Sequence, residues 1–213
     1  MPESTTDITI SNKNGDIGGS YKAGHPMVVF SHGFGVVRDS RGMFTDISNS
    51  LPPSWGYILF DYNHVKGTDV YLSSYSDQAK KLSAVLKFAA EKSDTVHLIG
   101  HSMGSITASL LASTVPSKVI LLAPPVHLPR ESSNNSWAER PGAHYEGDVL
   151  IVPRKDGTTS HIPQSFFDEA NNVDCVETMK RYSLIRSCTV VQAEGEDIIS
   201  DLDRYSLLST ENI

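Results

Sequence analysis

Short, mostly apolar runs recur along the chain as far as Leu122: Met27–Phe30, Tyr57–Phe60, Val96–Ile99 and the segment Lys118–Leu122. Runs of this length without polar alternation suit strands buried on both faces of a sheet. Between them the period changes. Met43, Phe44, Ile47 and Leu51 recur at helical spacing, and Pro52-Pro53 stops that helix. Leu82, Val85, Leu86 and Ala89 form one face of a second helix, entered through a Ser74/Asp77 capping box. Met103, Ile106, Thr107, Leu110 and Leu111 form the apolar stripe of a third, closed off by Pro116. Strand alternating with helix predicts parallel crossovers and a sheet covered on both faces. Ahead of it, Ile8–Ser11 and Asp16–Tyr21 flank Asn14-Gly15 and read as a hairpin with a type I′ turn.

The rhythm breaks after Leu122. Residues 124–187 are rich in Pro, Ser, Asn and charge, and read as an inserted, cap-like segment after the sixth strand. Within it, Val149–Val152 and Thr158–Ile162 flank Asp156-Gly157, a hairpin signal, and Gln164–Tyr182 has room for one or two short helices. The strand pattern resumes at Cys188–Ala193, followed by the acidic turn Glu194–Ile199 and a helical stretch, Asp201–Leu208. The chain ends at Ile213, in what reads as the approach to another strand. The expectation is one α/β domain over residues 1–213, a mostly parallel doubly wound sheet in which a C-terminal strand and helix are missing.

Composition narrows the function classes. At 213 residues, with 39% hydrophobic and 20% charged positions, the chain can bury a sizeable core. Its net charge of −7 argues against a nucleic-acid partner. Lys80-Lys81 and Lys180-Arg181, the longest basic clusters, suit solvated helix faces. The N-terminus lacks the basic and apolar regions of a signal peptide, and no apolar run reaches 18 residues, so no membrane partner is expected. Cys175 and Cys188 lack C-x-x-C spacing and read as reduced thiols of a cytoplasmic protein, with a bridge between them left open. Neither H-E-x-x-H, nor paired-Cys zinc spacing, nor a phosphate-binding G-x-x-x-x-G-K-(S/T) loop occurs, so no metal or cofactor is expected. Oligomeric state carries no signal.

The candidate chemistry lies at Val96–Ile106. An apolar run leads into Gly100-His101-Ser102-Met103-Gly104, and a helical pattern leads out. Gly-x-Ser-x-Gly between strand and helix is a nucleophile-elbow signature: the turn is so tight that its flanks must be small, and it lifts the hydroxyl out of the sheet. A second glycine loop, Ser31-His32-Gly33-Phe34-Gly35, follows the strand Met27–Phe30. It is not a dinucleotide fingerprint, because Arg38 stands where the third glycine is required.

Together these motifs resemble the α/β-hydrolase family over nearly the whole chain. The resemblance rests on the elbow, on the His-Gly-x-Gly segment after the third strand, and on the acidic turn at Glu194–Ile199. Finer features, S-H-G-F-G, F-D-Y at 60–62, L-A-P-P at 122–125 and a short insertion with a hairpin, are similar to small bacterial carboxylesterases and cinnamoyl or feruloyl esterases. The resemblance implies ester hydrolysis through an acyl-enzyme on a small ester substrate, with Ser102 as nucleophile. The backbone N–H groups of Phe34 and Met103 would hold the oxyanion, and His32, Gly33, Gly35, Gly100, His101 and Gly104 would shape the loop and elbow. Either Glu196 or Asp197 would be the triad acid. The family takes its base from a His beyond the acid, and no His follows Asp197. Of the eight His residues, only His144 and His161, in the insertion, could swing over the site. The expectation is therefore either a chain lacking its catalytic His segment or a hydrolase-like binding protein without full catalysis. Peptidase, lipase and acyltransferase activities use the same machinery.

Overall fold

The structure is a computed structural model that describes residues 5–13, 15–111, 113, 115–128 and 137–192. In chain order the elements are β1 (Thr6–Ile10), β2 (Ile17–Lys22), β3 (Met27–Ser31), α1 (Met43–Ser50), β4 (Gly56–Phe60), β5 (His64–Lys66), β6 (Asp69–Tyr71), α2 (Tyr75–Lys92), β7 (Val96–His101), α3 (Met103–Leu111), β8 (Lys118–Leu122), a 3₁₀ turn (Trp137–Glu139), β9 (His144–Glu146), β10 (Val149–Pro153), β11 (Thr159–Pro163), α4 (Gln164–Asn171), α5 (Cys175–Ile185) and β12 (Cys188–Val191).

Seven strands form the main sheet, in the order β1-β2-β4-β3-β7-β8-β12. From β4 through β12 every pairing is parallel, while β2 runs antiparallel to β1 and β4. Every residue of β3 and β4 is buried, which explains why these strands read as continuous apolar runs. Their alternate side chains feed two cores. Met27 and Val29 join the core under α2, α3 and α5, where Leu82, Val85, Ile106, Met179 and Tyr182 pack. Val28 and Phe30 face α1 through Phe44, whose ring lies 4.9 Å from that of Phe30. A fully buried side chain of this size contributes about 3 kcal/mol. The Ser74 half of the expected capping box is made: its hydroxyl accepts the Asp77 N–H at the start of α2.

Three features depart from the sequence reading. The N-terminal hairpin pairs Ile10 with Ile17, so its connection is longer than a two-residue type I′ turn. Gly15 still has a positive φ, at 110°. Second, the cap sheet, in the order β5-β6-β11-β10-β9, draws on two separate segments. The expected hairpin β10–β11 is there, but β6 pairs in parallel with β11, so residues after β4 complete the cap. Third, α5 packs beneath the main sheet and leads into β12, so the last part of segment 124–187 is a crossover rather than cap.

Among the described residues no helix is long and apolar enough to cross a membrane, and no His/Cys/Asp/Glu group could hold a metal ion. No disulfide joins Cys175 and Cys188.

Candidate active site

Strand β7 delivers Ser102 to the C-terminal edge of the sheet, where α3 begins. The backbone of Ser102 is left-handed, at φ 51°. A non-glycine residue adopts that conformation at a cost of about 1–3 kcal/mol and keeps it only where its surroundings over-determine it. Here they do. The Ser102 N–H donates to the Leu122 carbonyl at 2.9 Å, and its carbonyl accepts the Ser105 N–H at 2.9 Å. The Ser105 hydroxyl closes the turn by donating to the Gly100 carbonyl at 2.9 Å.

The two flanking glycines have distinct physical reasons. A Cβ on Gly100 would lie 2.9 Å from the Ser105 Cα. A Cβ on Gly104 would be driven into the carbonyl oxygens of Ser31 and His32. Gly104 therefore lets α3 sit directly against the loop that follows β3. The Ser31 hydroxyl fastens this contact, donating to the Gly104 carbonyl at 2.8 Å and accepting the Tyr62 hydroxyl at 2.7 Å. Burial pushes the Tyr62 phenol well above its ordinary range, so it stays a donor.

That contact brings residues 32–35 beside the elbow. Gly33 faces Ser102 so closely that a Cβ there would lie 3.3 Å from the Ser102 Cβ. His32 is fully buried, with both ring nitrogens occupied. Nε2 accepts the Tyr62 N–H at 3.0 Å, so Nδ1 carries the proton and donates to the Gly33 carbonyl at 2.9 Å. Burial, its largest influence, pulls the His32 pKa down, consistent with a neutral ring that braces the loop. The Phe34 and Met103 N–H groups have no acceptor among the described residues, and Met103 is the first residue of α3, where the helix dipole favours negative charge. Gly35 turns the loop at φ 60°.

His101 points to the α1 side. Its Nδ1 lies 3.2 Å from the Ser40 hydroxyl, its ring stands edge-on to Phe44, and burial lowers its pKa. His144 and His161 lie in the cap. The first contacts the Gly142 carbonyl and Glu146, and the second stacks on Tyr71 beside Asp69. His25 bonds Ser93, and His97 packs on Trp55. No histidine side chain hydrogen-bonds Ser102 among the described residues. Glu196 and Asp197 lie outside them.

Two groups at the site were not anticipated as site residues. Asp61 accepts both the Arg38 backbone N–H and its Nε, each at 2.7 Å, and so clamps the end of the glycine loop. Asp61 stands in the F-D-Y motif and Arg38 is the misfit in the glycine pattern, so both residues were visible but not their pairing. The cap supplies an aromatic cluster: the Phe34 ring lies 4.6 Å from Trp137 and 5.3 Å from Phe166, which stacks on Tyr75.

Comparison with known proteins accords with this geometry. The sequence model of the Alpha/beta hydrolase family matches residues 28–204. The chain is similar in structure to Est1E from Butyrivibrio proteoclasticus, at TM-score 0.62 and 13% identity, over 95% of this chain and 96% of that one. It is also similar to the esterase domain of a Rhodothermus marinus protein, at 0.64 and 16%, over 96% and 82%. For the hydrolase GrgF from Penicillium sp. sh18 the values are 0.61 and 11%, over 96% and 98%. No curated protein matches the sequence.

Proposed function

This chain belongs to the α/β-hydrolase family, and from that premise we propose that it cleaves carboxylic esters through an acyl-enzyme on Ser102. The observation that carries the reading is the left-handed Ser102 at a strand–helix junction, with the Phe34 loop held against it by Gly104. In the proposed reaction Ser102 Oγ attacks the acyl carbon and the carbonyl oxygen becomes an oxyanion. The Phe34 and Met103 N–H groups receive that charge, a contribution that is usually the largest single one in acyl transfer. The acyl C–O bond breaks, the alkoxide leaves as the alcohol with the proton given up by Ser102, and water then adds to the acyl-enzyme, returning a proton to Ser102 Oγ as the acid is released. Phe34 and Trp137, both half-buried and backed by the buried Phe166, offer an apolar wall to a small acyl or aromatic ester. Est1E, one of the structurally similar proteins, has been solved with ferulic acid bound, which accords with an aromatic substrate. Asp197 or Glu196 is the proposed triad acid. Peptidase, lipase or acyltransferase chemistry would use the same groups.

A second reading is favoured by one observation: each histidine for which a side-chain contact is described is engaged away from Ser102. On that reading the fold is a non-catalytic binding protein. A triad without its base retains about 10³–10⁴-fold over water. A fluorophosphonate probe and 4-nitrophenyl butyrate separate the two. For the hydrolase, the probe labels Ser102, Ser102→Ala abolishes labelling, and added imidazole speeds Ser102-dependent turnover by supplying a base. Absence of labelling at Ser102, with or without imidazole, favours the binding protein.

A further inference from the structure

Although the whole chain carries a charge of −7, four cations gather at one edge of the cap. Arg41, Arg140, Arg154 and Lys155 line an open pocket of about 810 Å³, with Asp156 as its acid. Asp156 is already engaged. Its Oδ1 accepts the Thr158 N–H and hydroxyl, at 3.1 and 2.6 Å, and its Oδ2 accepts Arg41 at 2.7 Å. Arg140 and Arg154 form no ion pair among the described residues.

Both guanidinium groups are positioned. The Arg140 guanidinium carbon lies over Trp137, 3.4 Å from the ring centre, and that of Arg154 stands 5.5 Å from the same ring. The Arg154 backbone is tied into the β10–β11 turn by its N–H to the Thr158 carbonyl and by the Gly157 N–H to its own carbonyl. Burial, with Arg41 and Arg140 nearby, pulls its pKa below the ordinary value, yet arginine remains charged. An anion entering here would relieve that mutual repulsion and meet planar donor forks suited to oxyacid groups.

One of the lining residues, Arg154, also reaches the glycine loop beside the proposed reaction centre. A Cβ on Gly35 would lie 2.7 Å from Arg154 Nη1, and Gly35 directly follows Phe34, a proposed oxyanion donor. Building on the ester-hydrolase reading above, we propose that Arg140 and Arg154 bind an anionic oxyacid group, carboxylate or phosphoryl, carried by the ester substrate. The cap then selects esters by charge, with the anionic end on the arginines and the acyl carbon toward Ser102.

Calorimetric titration of the Ser102→Ala protein tests this without requiring turnover. The probes are monomethyl glutarate, the carboxylic methyl ester of phosphonoacetic acid, and neutral dimethyl glutarate. At least one anionic ester is expected to bind ten-fold or more tightly than the neutral one, with an advantage that shrinks as salt rises. The tighter anion identifies the group. Arg140→Gln and Arg154→Gln should each reduce the advantage. Arg140 is on an exposed turn, so its variant serves even if Arg154→Gln disturbs the glycine loop. Equal binding of neutral and anionic esters, or a preference untouched by both variants, overturns the proposal. A wild-type chain that fails to label at Ser102 defeats the hydrolase reading but leaves this binding result intact.

Discussion

At the scale of single residues, the site is built from groups that are neutral or strained because of where they are buried. His32 is the clearest case. Its pKa is lowered in the folded chain, while the unfolded chain protonates near pH 6.5. Below that pH the unfolded state binds a proton the folded state refuses. The stability due to neutral His32 is therefore fully present above about pH 6.5 and is lost as pH falls toward the lower folded value. His97 and His101 shift in the same direction through burial. Urea denaturation at pH 7.5, 6 and 5 should show decreasing stability, with a shallower decrease in His32→Asn; an equal slope would refute the role assigned to His32. The need for Gly100, Ser102 and Gly104 was legible in five consecutive letters, because a local turn carries local rules. That His32 is a brace was not, because its partner is the Tyr62 N–H, thirty residues away.

At the scale of elements, the glycine loop is held from both ends. Gly104 on α3 admits it at one end, and Asp61 after β4 clamps Arg38 at the other. The Arg38 and Asp61 side chains are 30% and 15% exposed, so water competes only partly for this pair. Hydrogen bonds to a charged group contribute about 1.5–3 kcal/mol, and Asp61→Ala should lower unfolding stability by about that amount, as a shift in urea midpoint at unchanged slope. A shift below a few tenths of a kcal/mol would show the clamp to be energetically idle. The helices and buried strands were readable because their periods of 3.6 and unbroken apolarity are intrinsic to each segment. The length of the β1–β2 connection was not, because register follows which side chains face the core and not the turn dipeptide alone.

At the scale of the whole molecule, the described chain forms two sheets of unequal burial. The main sheet has β3 and β4 buried throughout, whereas every residue of β5 and β9 is exposed. Local opening is easiest where few apolar contacts must break. Amide exchange should therefore be faster in β5 and β9 than in β3 and β7, and equal protection would contradict this ordering. The cap also joins distant segments: β6 lies beside β11, and Arg41 reaches Asp156.

What the sequence by itself determined is the parallel α/β order, the elbow at Ser102 and the glycine loop after β3. Each is written in contiguous residues, through hydrophobic period or backbone sterics. Only the tertiary structure decided that Gly104 docks α3 on that loop, that Asp61 answers Arg38, that the cap recruits residues 64–71, and that Arg140 and Arg154 converge on Trp137 with Arg154 beside Gly35. These are meetings between residues far apart along the chain. They depend on how the sheet orders its strands and where the cap settles, and no local pattern encodes that distance.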